Sequence, residues 1–363
     1  MKIVACVLAG GLGVRLWPRA TEKHPKQFSH MLGDGTLIQN TVMRLLPFVD
    51  TSDIWVVTTR DLAAHVSEQL PLVSPDHVIL EPFARNTGPS IGLAASVITA
   101  SYNEDVVIVV LPSDHLVMNV REFQITLDRA CVAAESADTI VTIGVTPTRS
   151  ETAYGYIQVG DTLDLENPVL KDKVHRVRTF AEKPDLATAQ RFIDAGDFVW
   201  NSGIFVARAQ VIMDAIDQHL PDHGPLLHIA RKALGTEEYD AVLEYQFRQM
   251  RSVSFDVGVM EKATNVCVVD GSFGWSDVGT WDELYRLSMK DGKNNVIEGN
   301  VVTVNTHNCF VSSQTGRLVG IVGVDNLVVV ETEQALMICN RGKTTDVRDL
   351  VDLLRRRHIG GPL

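Results

Sequence analysis

The chain opens MKIVACVLAGGLGVRLWPRATEKHPKQF, Met1–Phe28. A short apolar run, Ile3 to Leu8, enters a glycine-rich turn, and the basic residues Arg15, Lys23 and Lys26 follow. Two common phosphate-binding patterns fail on spacing. A dinucleotide loop needs G-x-G-x-x-G, and Leu16 stands where the third glycine belongs. A P-loop ends in G-K-[ST], and that tripeptide is missing here. The physics still points to phosphate. Glycines at a strand end let backbone N–H groups approach an anion closely, and Arg15 and Lys26 can add full charges. By itself the stretch also suits a plain strand-to-helix turn with solvated basic side chains.

Outward from this loop, short β-branched runs alternate with helical patterns. Strands are expected at Ile3–Leu8, Ile54–Thr58, His77–Leu80, Val106–Leu111 and Thr139–Val145, with helices near Leu37–Leu46, Asp61–Gln69, Gly88–Ala100 and Arg121–Glu135. Continuous apolar strands alternating with helices imply an α/β fold. Its sheet is mixed but mainly parallel, with helices on both faces. In such sheets ligands bind beyond the carboxyl ends of the strands, where the glycine loop and Leu111–His115 (LPSDH) belong. The middle of the chain mixes strands (Tyr154–Val159, Val174–Phe180, Gly203–Ala207, Val266–Val269) with a helical stretch, Met213–Tyr245, broken at Pro221 and Pro225. After Lys290–Asn295 the texture changes to short strands spaced by turns: Val301–Val304, Cys309–Ser312, Leu318–Val322, Leu327–Glu331 and Ala335–Cys339. A polar helix, Thr345–Arg357, follows. The expected domains are 1–290 and a small β domain, 291–363.

The 363 residues are 45% hydrophobic and 21% charged, the balance of an ordinary globular protein. A formal charge of −12 argues against non-specific binding to nucleic acid or to an anionic membrane surface. Five scattered cysteines without a C-x-x-C fit a reducing compartment, so a cytoplasmic location is expected. No run reaches the roughly 18 apolar residues of a membrane span.

Asp114 in LPSDH and Asp277 in GWSDVGTW each follow a strand, and together they can hold one Mg²⁺, which takes one or two carboxylates and shares its other positions with water and phosphate. Each alone also suits an N-cap or Asx turn. Glu182-Lys183-Pro184 closes a strand. It offers a cation for a second phosphate and an acceptor for sugar hydroxyls, or else a surface ion pair. Asn201 in WNSGIF can donate and accept, as hydroxyls require. Gly155 in YGYI permits close approach to the backbone, and Asn86-Thr87 leads into a helix N-terminus suited to an anion or a base edge. His219, His223 and His228 lack a continuous helix to align them, and surface histidines are expected rather than a zinc site.

In this order, LAGGLGVRLWP…PKQF, EPFARNT, LPSDH, YGYI, EKP, WNSGIF, VMEK and WSDVGTW resemble the sugar-nucleotide pyrophosphorylases, and among them the bacterial guanylyltransferases that act on mannose 1-phosphate. The β-rich tail, with RLVGIVGVDNLVVVET, resembles the C-terminal domain of the same enzymes. The resemblance implies a Rossmann-like catalytic domain followed by a β-helix-like one. It implies GTP and mannose 1-phosphate as substrates, Mg²⁺ as cofactor and a homodimer. Leu8, Ala9, Gly10, Gly11, Gly13 and Ser113 would then wrap the nucleotide, with Asn86 and Thr87 near its base. Arg15 and Lys26 would face the leaving pyrophosphate, and Asp114 and Asp277 would bind the metal. Gly155, Glu182 and Asn201 would hold the sugar, and Lys183 its phosphate. The chain departs from the family pattern at Arg19-Ala20-Thr21 and at Gly88-Pro89-Ser90. Both departures lie near the expected nucleotide site, so base choice is less fixed than reaction class. A phosphomannose isomerase domain, present in some relatives, is expected to be absent. Alternatives are a pyrophosphorylase for another pair of substrates, or a non-catalytic sugar-nucleotide sensor. A dinucleotide-dependent oxidoreductase fails on the missing third glycine.

Overall fold

The computed structural model describes residues 1–11, 13–165, 167 and 170–357. The first strands are β1 (Lys2–Leu8), β2 (Ile54–Thr59), β3 (Val78–Glu81), β4 (Val106–Pro112), β5 (Leu116–Val117) and β6 (Ile140–Val145). Next come β7 (Tyr156–Thr162), β8 (Val174–Ala181), β9 (Phe198–Arg208), β10 (Val266–Gly271) and β11 (Trp275–Ser276). The tail holds β12 (Val296–Glu298), β13 (Val301–Val304), β14 (Phe310–Ser313), β15 (Val319–Val322), β16 (Leu327–Glu331) and β17 (Leu336–Asn340). The helices are α1 (Leu37–Met43), α2 (Ala63–Gln69), α3 (Thr87–Ser101), α4 (Val120–Ser136) and α5 (Leu186–Ala195). They continue as α6 (Ala209–His219), α7 (Gly224–Lys232), α8 (Tyr239–Gln249), α9 (Trp281–Leu287) and α10 (Val347–Arg356). No helix among the described residues is long and apolar enough to cross a membrane.

Packing gathers the chain into two units. One holds Met1–Gly10, Thr41–Ser113 and Val117–Trp275; the other holds Gly11–Asn40, Asp114–Leu116 and the chain from Ser276 onward. Residues are therefore grouped differently from a cut along the chain at 290/291.

The first unit is built on a nine-stranded sheet ordered β3-β2-β1-β4-β9-β6-β10-β8-β7. The pairings β1–β2, β1–β4, β2–β3 and β6–β10 are parallel. Strands β8 and β9 run against the rest, antiparallel to β10, β7, β4 and β6. The central runs are buried on both faces, which explains their unbroken apolar character: Val106 to Leu111 are all at most 1% exposed. Alternate residues of β4 feed different layers. Val106, Ile108 and Val110 share a core with Ile91 and Ile98 of α3 and Ile212 and Ile216 of α6. Helix α4 packs on the same strands with Phe123 and Leu127 from outside that cluster, so helices cover both faces. Helix α3 begins at Asn86, whose side-chain oxygen accepts from the Thr87 N–H, and α4 begins at Asn119, which caps Glu122. Met213–Tyr245 resolves into three helices, with Pro225 in the first turn of α7, where its missing N–H costs nothing.

In the second unit, β12, β14 and β16 stack in parallel register, Val296 beside Phe310 beside Val328, and β13 and β15 form a parallel pair alongside. Successive turns of the chain laid in register make a short β-helix. Val301, Val319 and Ile321 pack on its buried thread of Cys309, Val311 and Val329. A larger core in the same unit joins Leu16, Trp17 and Met31 to Trp281, Phe310 and Val330. Arg19 fastens the loop to this core. Its guanidinium donates to Glu298 and to Ser312 at 2.5 Å and lies 5.3 Å from the centre of the Trp281 ring.

Candidate active site

The glycine turn leaves β1 between β2 and β4. Ala9 N–H donates to the Val57 carbonyl, the Thr58 hydroxyl donates to the Ala9 carbonyl, and Ser113 N–H donates to the Leu8 carbonyl. Leu8 to Gly10 and Ser113 thus share one carboxyl edge of the sheet. Glu81, at the end of β3, joins them. Its second carboxylate oxygen lies 3.4 Å from where a Cβ on Gly10 would stand, and its first accepts from the Ser90 hydroxyl at 2.6 Å. Burial pushes this carboxyl up to about 7, only partly offset by Ser90. Nothing in the sequence pattern marked Glu81 beyond its place in EPFARNT. Asn86 and Thr87 are committed to the backbone: Asn86 caps α3 at a φ of 68°, and the Thr87 hydroxyl accepts from Phe255 N–H at 2.8 Å.

A second cluster in the same unit follows from strand register. Tyr156 of β7 pairs with Ala181 of β8 and with Trp200 of β9, so Gly155, Glu182 and Asn201 come side by side. A Cβ on Gly155 would meet Glu182 Oε2 at 2.6 Å and Asn201 Cβ at 3.3 Å, so glycine is required by this approach. The Glu182 carboxylate pairs with Lys183 Nζ at 2.5 Å, while the Lys183 side chain stays 58% exposed. Proline after Lys183 disfavours right-handed helix, and the residue adopts a φ of 48°, a left-handed conformation that non-glycine residues adopt sparingly.

Asn201 lies inside β9 rather than ahead of a strand starting at Gly203. Its oxygen accepts from the Thr142 hydroxyl at 3.0 Å and from Gly203 N–H at 3.1 Å, and its nitrogen donates to Asp256 at 2.7 Å. Sequence reasoning missed two acids here. Asp256 opens the turn Asp256–Met260, and Glu261 accepts from Glu182 N–H at 3.2 Å. The only hint was VMEK, which contains Glu261. The rings of Trp200 and Trp275 lie 5.1 and 5.0 Å from that of Tyr154, an aromatic wall beside the cluster.

In the second unit Lys26, only 6% exposed, reaches two aspartates. Its ammonium donates to Asp114 Oδ2 at 2.8 Å and to the backbone carbonyl of Asp277. Gly13, at a φ of 62°, makes room: a Cβ there would stand 2.3 Å from Lys26 Cβ. Gln27 Nε2 donates to the Gly11 carbonyl at 2.8 Å and holds the turn. Arg15 sits in the short turn Val14–Leu16, with no hydrogen bond or ion pair from its guanidinium among the described residues. Burial pushes the Asp114 carboxyl up, but the charges of Lys26 and His115 and the Lys26 hydrogen bond outweigh it and hold it below the ordinary value. Asp277 forms an Asx turn with Gly279 N–H at 3.1 Å, and buried Val278 beside it is held at a φ of 46°, strained for a β-branched residue. By residue chemistry Asp114 and Asp277 suit Mg²⁺: each carries hard carboxylate oxygens, that of Asp114 is held ionised, and neither is a thiol.

The histidines differ from expectation in one respect. His223 is buried, not on the surface, and hydrogen-bonds the Arg251 carbonyl at 2.9 Å, while His228 pairs with Asp217. Among the described residues no group of three or more His, Cys, Asp or Glu is placed to hold a metal.

Comparison with known proteins gives the family. The nucleotidyl transferase family profile matches residues 4–294, and the mannose-phosphate isomerase/GMP-like β-helix profile matches residues 299–354. The alginate biosynthesis protein AlgA of Pseudomonas aeruginosa is 36% identical over 96% of this chain and 71% of its own length. A mannose-1-phosphate guanylyltransferase of Escherichia coli is 34% identical over 97% of this chain and 75% of its own. A crystal structure from Thermus thermophilus, described as a mannose-1-phosphate geranyltransferase, superposes with a TM-score of 0.87 at 32% identity, covering 98% of this chain and all of that one. This chain belongs to the nucleotidyl transferase family and carries that family's GMP-like β-helix domain behind its catalytic fold.

Proposed function

We propose that this enzyme transfers GMP from GTP to mannose 1-phosphate, giving GDP-mannose and pyrophosphate. A phosphate oxygen of mannose 1-phosphate attacks the α-phosphorus. The bond from that phosphorus to the oxygen bridging the β-phosphorus breaks in line, and pyrophosphate leaves with the electron pair. The nucleophile needs no general base, because the second pKa of a phosphate monoester is about 6. The barrier lies in bringing two polyanions together, so the protein's task is charge neutralisation and alignment. The observation that carries this reading is Lys26, a nearly buried ammonium shared by Asp114 and Asp277 next to a glycine turn opened for it by Gly13. Bound Mg²⁺, held by Asp114 and Asp277, would supply neutralisation of the phosphate charge. Lys26 and Arg15 would face the leaving pyrophosphate, and Leu8, Ala9, Gly10, Gly11 and Gly13 with Ser113 would line the nucleotide. Lys183 would meet the sugar phosphate, and Glu182 would accept from sugar hydroxyls. Asn201 would offer its second N–H, because its oxygen is already engaged. A cytoplasmic location and a homodimer belong to the same proposal.

The test is pyrophosphate release with Mg²⁺, mannose 1-phosphate and GTP, ATP, UTP, CTP or dTTP in turn. Fast release with GTP alone is expected. Equal or faster release with another nucleotide would keep the reaction class and discard the guanylyl assignment. No release with any of the five would discard mannose 1-phosphate as the acceptor and turn the test to glucose 1-phosphate, and then to the non-catalytic sensor.

A further inference from the structure

Asp256 is a half-buried acid that no step of the proposed transfer uses, yet it bonds directly to Asn201, which the proposed function places at the sugar. Its carboxylate accepts from the amide nitrogen of Asn201 at 2.7 Å. The Asn201 amide has two orientations that differ by exchanging oxygen and nitrogen. Two neighbours decide between them. Gly203 N–H can only donate, and it meets the oxygen. An ionised carboxylate can only accept, and Asp256 meets the nitrogen. Asp256 is delivered by a π-type turn, Asp256–Met260, an irregularity that recurs at functional sites. The turn is pinned in place: Phe255 N–H donates to Thr87 Oγ1, and Glu261 at its end accepts from Glu182 N–H.

We propose that Asp256 is a positioning residue for the sugar phosphate, locking the Asn201 amide so that its second N–H is presented to the substrate and sharing with Glu182 the acceptance of sugar hydroxyls. The inference rests on the functional reading above. Charge supports it. Glu182 and Asp256 face one exposed cation, Lys183, so the cluster holds more acceptors than donors, as a polyhydroxylated ligand requires. Burial first, and then the Glu182 charge, push the Asp256 carboxyl up to about 6, against the opposing pull of Lys183 and the Asn201 hydrogen bond. Around the same turn, α3 carries no titratable residue, and His219 at the end of α6 presents its carbonyl to Lys262. Protonation of Asp256 near pH 6 gives it a donor and weakens the lock on Asn201.

The experiment is steady-state pyrophosphate release by the full chain, as wild type, Asp256→Asn and Asp256→Ala, from pH 5.5 to 9, with each substrate varied. Asp256→Ala is expected to raise KM for the sugar phosphate about tenfold, the usual scale for a lost charged hydrogen bond, and to leave KM for the nucleotide within about twofold. Asp256→Asn keeps an acceptor oxygen and should recover most of that loss at pH 8. The substrate phosphate titrates near pH 6 as well, so wild-type kcat/KM should fall with two-proton steepness on the acid side, and Asp256→Asn with one-proton steepness. An unchanged sugar-phosphate KM, equal losses for both substrates, or wild-type steepness in Asp256→Asn would each overturn the proposal. If Asp256→Ala does not fold, Asp256→Asn decides through its pH profile. Absence of turnover by the wild type overturns the functional reading and this one with it, whereas wild-type turnover with insensitive variants overturns this one alone.

Discussion

Replacing Glu81 by glutamine should stabilise the protein above neutral pH. Glu81 is 2% exposed, and its carboxyl is raised from an ordinary 4.5 to about 7, chiefly by burial. Its folded pKa lies above its unfolded one. Between those values the folded state binds more protons, so the stability it contributes is full below pH 4.5 and is lost as pH rises through 7. Each pH unit in that window costs about 1.4 kcal/mol, which over the whole shift is about 3 kcal/mol of pH-dependent destabilisation, to order of magnitude. Glutamine cannot ionise and keeps an oxygen for the Ser90 hydroxyl. Paired denaturant unfolding at pH 5, 6, 7 and 8 should show the glutamine variant gaining on the wild type at each step to pH 7 and levelling off beyond. A difference that stays constant across that range would refute the reasoning, because it would mean that Glu81 is ionised throughout, or solvated in a way its burial denies.

Gly13→Ala adds a Cβ 2.3 Å from Lys26 Cβ at a positive φ, so Lys26 must move off Asp114. Turnover should drop about 100-fold, the cost of an ångström-scale misplacement, and kcat near that of wild type would show that the Lys26 contact is dispensable. Arg19→Met breaks the bonds to Glu298 and Ser312 and the stack on Trp281. It should cost about 2–4 kcal/mol in denaturant unfolding, and a loss under about 0.5 kcal/mol would make this pair an ordinary surface contact.

Much of the fold was legible from local pattern alone. Short, unbroken, β-branched apolar runs such as Val106–Leu111 favour strands buried on both faces, and they form the middle of the sheet. Short strands spaced by turns after Asn295 announced a β domain. The aspartates stood out only as a pair joined to a glycine loop suited to phosphate, because each alone equally suits an N-cap or Asx turn, and Asp277 does form such a turn. Strand register was not legible. WNSGIF gives no sign that Asn201 lies within β9, because pairing partners are distant in sequence and the alternation is broken by Gly203.

The sequence by itself determined the class of the protein: a glycine turn after the first strand, two aspartates that follow strands, and a tail of β-strands, all written in local spacing. Only the tertiary structure decided what surrounds them. Glu81 and Asp256 become unusual acids through burial by segments far along the chain, and Lys26 becomes a bridge because folding brings Asp114 and Asp277 to one ammonium. Gly11–Asn40 packs with the β-helix unit rather than with the sheet it follows, since Leu16 and Trp17 find their apolar partners at Trp281 and Phe310. A side chain's charge is fixed by its identity, but its pKa, its partner and its exposure are properties of the enclosing volume, and that volume exists only once the distant segments have met.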